Sequence, residues 1–239
     1  MSLLPFLPPH WDKPVYEFHK TGGKDILIDV TTSVSGGLDP NHVLIEKVIP
    51  YFRQHNVDKI LDFGAGSLRH ALPLVNAGFT VGAIDFKEGY SRPICHKHLK
   101  ELCGNDRFCL MEWPHTYCGN SKIFRGRFDA ALLIYVLQTM PVPKERKEAM
   151  NFISSKLKWH EAYLFYCSRY NQLNGGNHRR YAVSDGYYMY PKRKYHSFYR
   201  EFTTSETHAF MAKYKFDRVR SFSERGTDQM FMYLRWDYP

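Results

Sequence analysis

Residues 59–85, KILDFGAGSLRHALPLVNAGFTVGAID, decide how the chain folds. Ile60, Leu61 and Phe63 form a short apolar run of the kind that makes a strand buried on both faces. The run breaks at Gly64-Ala65-Gly66, where the backbone can turn tightly and a ligand can approach without meeting a side chain. A helix is expected over 67–77, with Gly78 placed to cap its end. A second β-rich run, 79–84, closes on an acid, Asp85. Strand, glycine turn, helix, strand and acid describe a βαβ nucleotide-binding unit. The acid suits the two hydroxyls of a ribose, which it accepts as charge-assisted hydrogen bonds.

A dinucleotide fold wants a third glycine, in G-x-G-x-x-G, and here that position is Arg69. A P-loop wants a phosphate lysine after the turn, and none follows. The segment resembles motif I of class I S-adenosylmethionine-dependent methyltransferases, D-x-G-x-G, as Asp62-Phe63-Gly64-Ala65-Gly66. Its continuation, Leu68-Arg69-His70, then Ala77-Gly78-Phe79-Thr80-Val81 and Asp85, is similar to the tellurite-resistance-type branch of small methyltransferases. A dinucleotide binder and a generic α/β domain are the alternatives.

The chain has 239 residues, enough for one domain with a full core. Its 44% hydrophobic and 24% charged residues suit a soluble globular protein. A formal net charge of +9 points to an anionic partner or simply to a basic surface. Five cysteines without paired spacing fit a reducing, cytoplasmic setting with no disulfide. The N-terminus lacks a basic segment, its apolar run is broken by prolines, and no run approaches a membrane span. No membrane association is expected. Cys95-His96-Lys97-His98 and His115-x-x-Cys118 lack a second pair at zinc-finger spacing, so no metal is expected either.

Residues 1–38 read as an irregular arm with one short strand at 26–30, able to close over a ligand or to wrap the surface. Asp39-Pro40 is expected to cap the next helix, which carries Leu44, Ile45, Val48, Ile49 and Phe52 at helical spacing and bends at Pro50. After Asp85, a helix over 90–103, a strand at 108–111, a strand running into its loop over 128–138 and a strand at 162–167 follow, with Pro143 opening a further helix. Thr203-Thr204-Ser205-Glu206 has the pattern of a capping box, with Ala209, Phe210 and Tyr214 expected on the buried side. A closing hairpin is expected at 217–222 and 229–236, joined by a turn over 224–228. The family resemblance, over about 40–165 and 202–236, implies a Rossmann-like α/β fold. Its mostly parallel seven-stranded sheet would end in that antiparallel hairpin.

The resemblance also implies a cofactor, S-adenosylmethionine, held by Asp62, Gly64, Ala65, Gly66, Asp85 and Phe86. Glu112 and Trp113 would lie on the adenine, and Arg69 within reach of cofactor or substrate. Ile134-Tyr135-Val136-Leu137 stands where enzymes that methylate exocyclic amines often carry N/D-P-P-Y/F, which leaves O-methylation or a looser N-methylation site. Tyr135 would border the methyl group or pack in the core.

The segment 169–200 carries seven Arg or Lys and one Asp, a net 7 − 1 = +6, interleaved with eight aromatics. Such a mixture suits RNA or another nucleic acid, and equally a pocket for an acidic or aromatic small molecule, or rings that pack over the sheet. On the nucleic-acid reading Arg179, Arg180, Tyr181, Lys192 and Arg193 contact the substrate and His178 is the base. A peptide substrate, or a non-catalytic binding subunit with an intact cradle, completes the alternatives.

Overall fold

The computed structural model describes residues 15–18, 26–30, 37–86, 95–113, 116–169, 180–183, 185–189, 196–223 and 228–236. The four central strands are β3 (Lys59–Phe63), β4 (Thr80–Phe86), β5 (Phe108–Trp113) and β7 (Ala130–Ile134). They pair in parallel, as does β8 (Ala162–Ser168) with β7. The closing hairpin, β12 (Phe216–Ser221) and β13 (Gln229–Arg235), joins antiparallel to β8, with a register shift between Arg218 and Arg220. An eighth strand, β6 (Thr116–Gly119), pairs antiparallel with β5 at the other edge, where seven strands were expected. The order is β12-β13-β8-β7-β3-β4-β5-β6.

Side chains alternate along each central strand, so the sheet divides the core into two layers. Ile60, Leu132 and Phe165 pack against α1 (Ile49–Gln54), α2 (Ala71–Asn76) and α3 (His96–Cys103). Leu61, Leu133 and Tyr166 pack on the other face against α4 (Pro143–Lys156) and α5 (Thr204–Ala212). Both faces are covered, which is why these strands read as continuous apolar runs.

Local differences from the sequence reading have local causes. Asn41, not Asp39, caps the first helix: its Oδ1 accepts from the N–H groups of Val43 and Leu44 at 2.9 and 3.3 Å. A π-helical turn, Leu44–Val48, precedes α1 and absorbs the bend at Pro50. α2 begins only at Ala71, because Leu68 adopts φ +60° and the chain turns tightly before the helix. The capping box at Thr203 and Glu206 is formed, but α5 buries Thr207 and Met211 and leaves Ala209 exposed. Cys103 and Cys118 form a disulfide between α3 and β6, against the expectation of unpaired cysteines. Among the described residues no helix is long and apolar enough to cross a membrane.

A second, smaller β layer sits on the carboxyl edge of the sheet. β1 (Val15–Phe18) and β2 (Ile26–Asp29) form a hairpin, while β9 (Arg180–Val183), β10 (Gly186–Met189) and β11 (Ser197–Tyr199) form a meander. A bridge between Ile28 and His196 joins the two. Their shared core is Ile26, Ile28, Tyr188 and Phe198. The described strands of the N-terminal arm and of the basic aromatic segment therefore share one core, a cap on the sheet.

Candidate functional site

The loops after β3 and β7 meet at the glycine turn. Gly64 and Gly66 hold φ +73° and +54°, a left-handed backbone that glycine adopts without strain. A Cβ on Gly64 would lie 2.5 Å from Val136 Cγ2, so the turn accepts no side chain on that side. The N–H groups of Gly64 and Ala65 donate to the carbonyl of Ile84, which locks the turn to β4.

Three carboxylates surround this turn. Asp62 is buried, and its Oδ2 has no hydrogen-bond partner among the described residues. Burial pushes its carboxyl up to about 7, Asp85 adds in the same direction and Arg69 opposes it. Asp85 accepts from the N–H of Gly66 at 2.5 Å and of Phe86 at 2.6 Å, so its oxygens are oriented by backbone. Glu112 stands opposite Asp85 in the β4–β5 register, and Trp113 opposite Phe86. An orphaned buried acid, a turn closed to side chains and an adjacent acid pair fit a ligand bearing an ammonium group and ribose hydroxyls.

Arg69 is half-buried and lies within electrostatic reach of Asp62, His70 and Cys167. It thus spans the glycine turn and the end of β8. His70, given no role in the sequence beyond its place in the Leu68-Arg69-His70 motif, is buried, and burial drives its imidazole down to about 3, so the ring stays neutral.

Beside this cradle lies a second polar cluster. Tyr135, directly after β7, is held at φ +61°, a strained value for a residue with a side chain. Its hydroxyl donates to Asp228 Oδ2 at 2.6 Å, and the Asn41 amide approaches that hydroxyl at 3.5 Å. The Arg169 guanidinium stands 5.4 Å from the centre of its ring. Burial, and then its neighbours Cys167 and Asp228, raise the phenol far above its ordinary value, so Tyr135 is a neutral donor. Asp228 also acts on the buried Tyr199 of β11, which places it between the sheet and the cap.

The cap is fastened at several points. Gln138, buried in the loop after β7, accepts from the Arg169 N–H through its side chain and from the Arg200 N–H through its carbonyl. Tyr16 donates to Glu145 at 2.6 Å. Asp185 pairs with both Arg146 and Arg200, and Arg200 reaches Glu206 at 3.0 Å.

The structure brings Asp62, Gly64, Ala65, Gly66, Arg69, Asp85, Phe86, Glu112 and Tyr135 to one edge of the sheet. Trp113, Arg180 and Tyr181 are placed through their backbone in β5 and β9. His178, Arg179, Lys192 and Arg193 lie outside the described residues. Asp228, Asn41 and Gln138 were not foreseen as site residues. Asp228 was legible only as part of a turn, and nothing local marks its distant partner.

No family model and no curated protein matches the chain. Solved structures do. A 1,6-didemethyltoxoflavin-N1-methyltransferase from Burkholderia thailandensis, with bound S-adenosylhomocysteine, is 19% identical and superposes with a TM-score of 0.56 over 87% of this chain and 82% of that one. An S-adenosylmethionine-dependent methyltransferase from Clostridium acetobutylicum gives 11% identity and a TM-score of 0.56, over 79% of this chain and 89% of that one. Magnesium protoporphyrin IX methyltransferase from Synechocystis, with bound S-adenosylhomocysteine, gives 14% and 0.54, over 87% and 94%. With the strand order and the glycine turn, these likenesses establish that the chain has the Rossmann-like fold of class I methyltransferases.

Proposed function

We propose that the protein is an S-adenosylmethionine-dependent methyltransferase that acts on a small molecule. The observation that carries this reading is the glycine turn, walled by Val136 and set beside the orphaned carboxylate of Asp62. In this reading Asp85 holds the ribose hydroxyls, Glu112 and Trp113 lie along the adenine, and Asp62 receives the ammonium of the amino-acid end. When bound, the cofactor supplies a methyl group on a positively charged sulfur, open to in-line displacement. The cap, made by the N-terminal arm and the 169–200 insertion, serves as the substrate cover and excludes water from the site. The neighbours in fold that carry substrate names include a 1,6-didemethyltoxoflavin-N1-methyltransferase, a magnesium protoporphyrin IX methyltransferase and a glycopeptide N-methyltransferase.

Three aromatic residues of the insertion favour a small acceptor over nucleic acid, while Tyr187 is exposed. Tyr188, Phe198 and Tyr199 are buried in the cap and are not free to stack on bases. Arg200 is committed to Asp185 and Glu206. Calorimetry should detect S-adenosylhomocysteine binding and no binding of NAD. Incubation with tritiated cofactor and fractionated extract should then label a small-molecule fraction. Label in RNA or DNA would transfer the assignment to nucleic acid, and cofactor binding without any transfer would indicate a binding subunit.

A further inference from the structure

The methyltransferase reading leaves open which group removes the acceptor's proton. We infer that Asp228, oriented by Tyr135, is the general base of the acceptor site, and that the acceptor is a neutral small molecule presenting a hydroxyl or a weakly basic N–H. This inference rests on the proposed function and adds a residue to it.

The argument is one of convergence. Asp228 precedes β13, Tyr135 follows β7, Arg169 follows β8, Asn41 precedes the first helix and Tyr199 comes from the cap, yet all five gather at one point. That point adjoins the glycine turn on two sides. Val136, the next residue after Tyr135, forms the wall against Gly64. Arg69, from the chain that follows the turn, acts on both Asp62 and Cys167. The cluster is therefore beside the cradle and beneath the cap, where an acceptor must sit.

Within it the roles separate by chemistry. Tyr135 cannot serve as base, because its neutral phenol already gives its proton to Asp228 as a hydrogen bond. Cys167 is buried, and burial pushes its thiol up to about 12, so it offers no thiolate. Arg169 and Arg69 are cations and accept no proton. Asp228 is the carboxylate that accepts from Tyr135, whose hydroxyl fixes its direction, whereas Glu201 acts on the cluster from the side of Tyr199. The strained backbone at Tyr135 is the cost of aiming that hydroxyl.

The step balances simply. The acceptor's lone pair forms a bond to the methyl carbon, and the carbon–sulfur pair remains on sulfur as a neutral thioether. The acceptor's proton passes to the Asp228 carboxylate. No oxidant or further reactant is needed.

Two measurements test this. In the protein without cofactor, tyrosines labelled at the ring carbon bearing the hydroxyl are followed by NMR, with the Tyr135 signal assigned by Tyr135→Phe. Asp228→Asn should move the Tyr135 signal at neutral pH, since the charged acceptor of its hydrogen bond becomes a neutral one. In transfer assays with tritiated S-adenosylmethionine and the small-molecule fraction, Asp228→Asn should bind S-adenosylhomocysteine normally. It should transfer about 10²–10⁴-fold more slowly, the range for a lost general base. It should also lose the acid limb of the pH–rate profile, whereas Asp228→Glu should recover part of both. A wild-type rate and profile in Asp228→Asn would overturn the assignment, as would an unchanged Tyr135 signal. Wild-type protein that binds S-adenosylhomocysteine but labels no small molecule would overturn it while sparing the cofactor reading. Absence of that binding would end both.

Discussion

Apart from Val136 and Gly37, the residues set around the glycine turn lie between Lys59 and Trp113, on three neighbouring strands and the loop after the first of them. Tyr135, by contrast, finds Asp228 93 positions away, and Tyr16 reaches Glu145 across 129. The cofactor half of the edge is closed by short connections that cost little loop entropy. The cluster at Tyr135 exists only once the closing hairpin and the described strands of the cap have docked. The first half should therefore hold its shape when the second is disturbed, and the second should be the easier to loosen.

The largest effect should come from attacking the local half at its turn. Gly64→Val places a branched side chain where the first added carbon already meets Val136 at 2.5 Å, on a backbone at φ +73°. S-adenosylhomocysteine binding should be lost in protein whose circular dichroism shows it folded. Retained affinity would mean that Val136 does not shape the cradle.

Asp62 probes the same half through pH. Its carboxyl sits at about 7 in the folded protein, against 3.8 for the ordinary group. The native state thus keeps the proton longer than the unfolded chain does. The resulting stability is fully present below about pH 4, is lost as pH rises to about 7, and changes no further above that. Urea titrations of wild type against Asp62→Asn should show a difference that shifts by roughly 4 kcal/mol between pH 4 and pH 8. Parallel curves would show that Asp62 ionises as it does in water.

Asp85→Ala should weaken S-adenosylhomocysteine binding by roughly 2–3 kcal/mol, the scale of lost charge-assisted hydrogen bonds. Part of that loss should come from the turn itself, because Gly66 and Phe86 lose their acceptor. Calorimetry on the folded variant decides it, and unchanged affinity would remove Asp85 from the ribose.

The smallest effect sharpens the comparison most. Thr203→Ala removes the cap of α5 and loosens Glu206, which holds Arg200 beneath the cap. Stability should fall by about 1 kcal/mol, with S-adenosylhomocysteine affinity unchanged. A parallel loss of affinity would show that the two halves are coupled.

What could be read from the sequence follows the same division. The glycine turn, Asp85 and the Thr203 box are local signals, each complete within one or two elements. Asp39 was expected to cap a helix that Asn41 caps, because both side chains suit the role and only the backbone path distinguishes them. The tyrosines of the insertion looked like a stacking surface, since the hairpin that buries Tyr188 and Phe198 comes from the far end of the chain. The pairing of Tyr135 with Asp228 has no sequence signature, because it depends on the register of β13 against β8.

The eighth strand bears on how the molecule meets its neighbours in solution. An open sheet presents unpaired N–H and C=O groups along both margins, a template for further strands from other chains. One margin here ends in β6, four residues long. The other ends in β12, which carries Asp217, Arg218 and Arg220 to solvent and breaks its register between the two arginines. Among the described residues, short length on one side and charge with a bulge on the other interrupt these margins, with Val219 the apolar side chain that β12 leaves exposed. The sheet stops growing by its own design, and fibrillar association through these margins is disfavoured from the start.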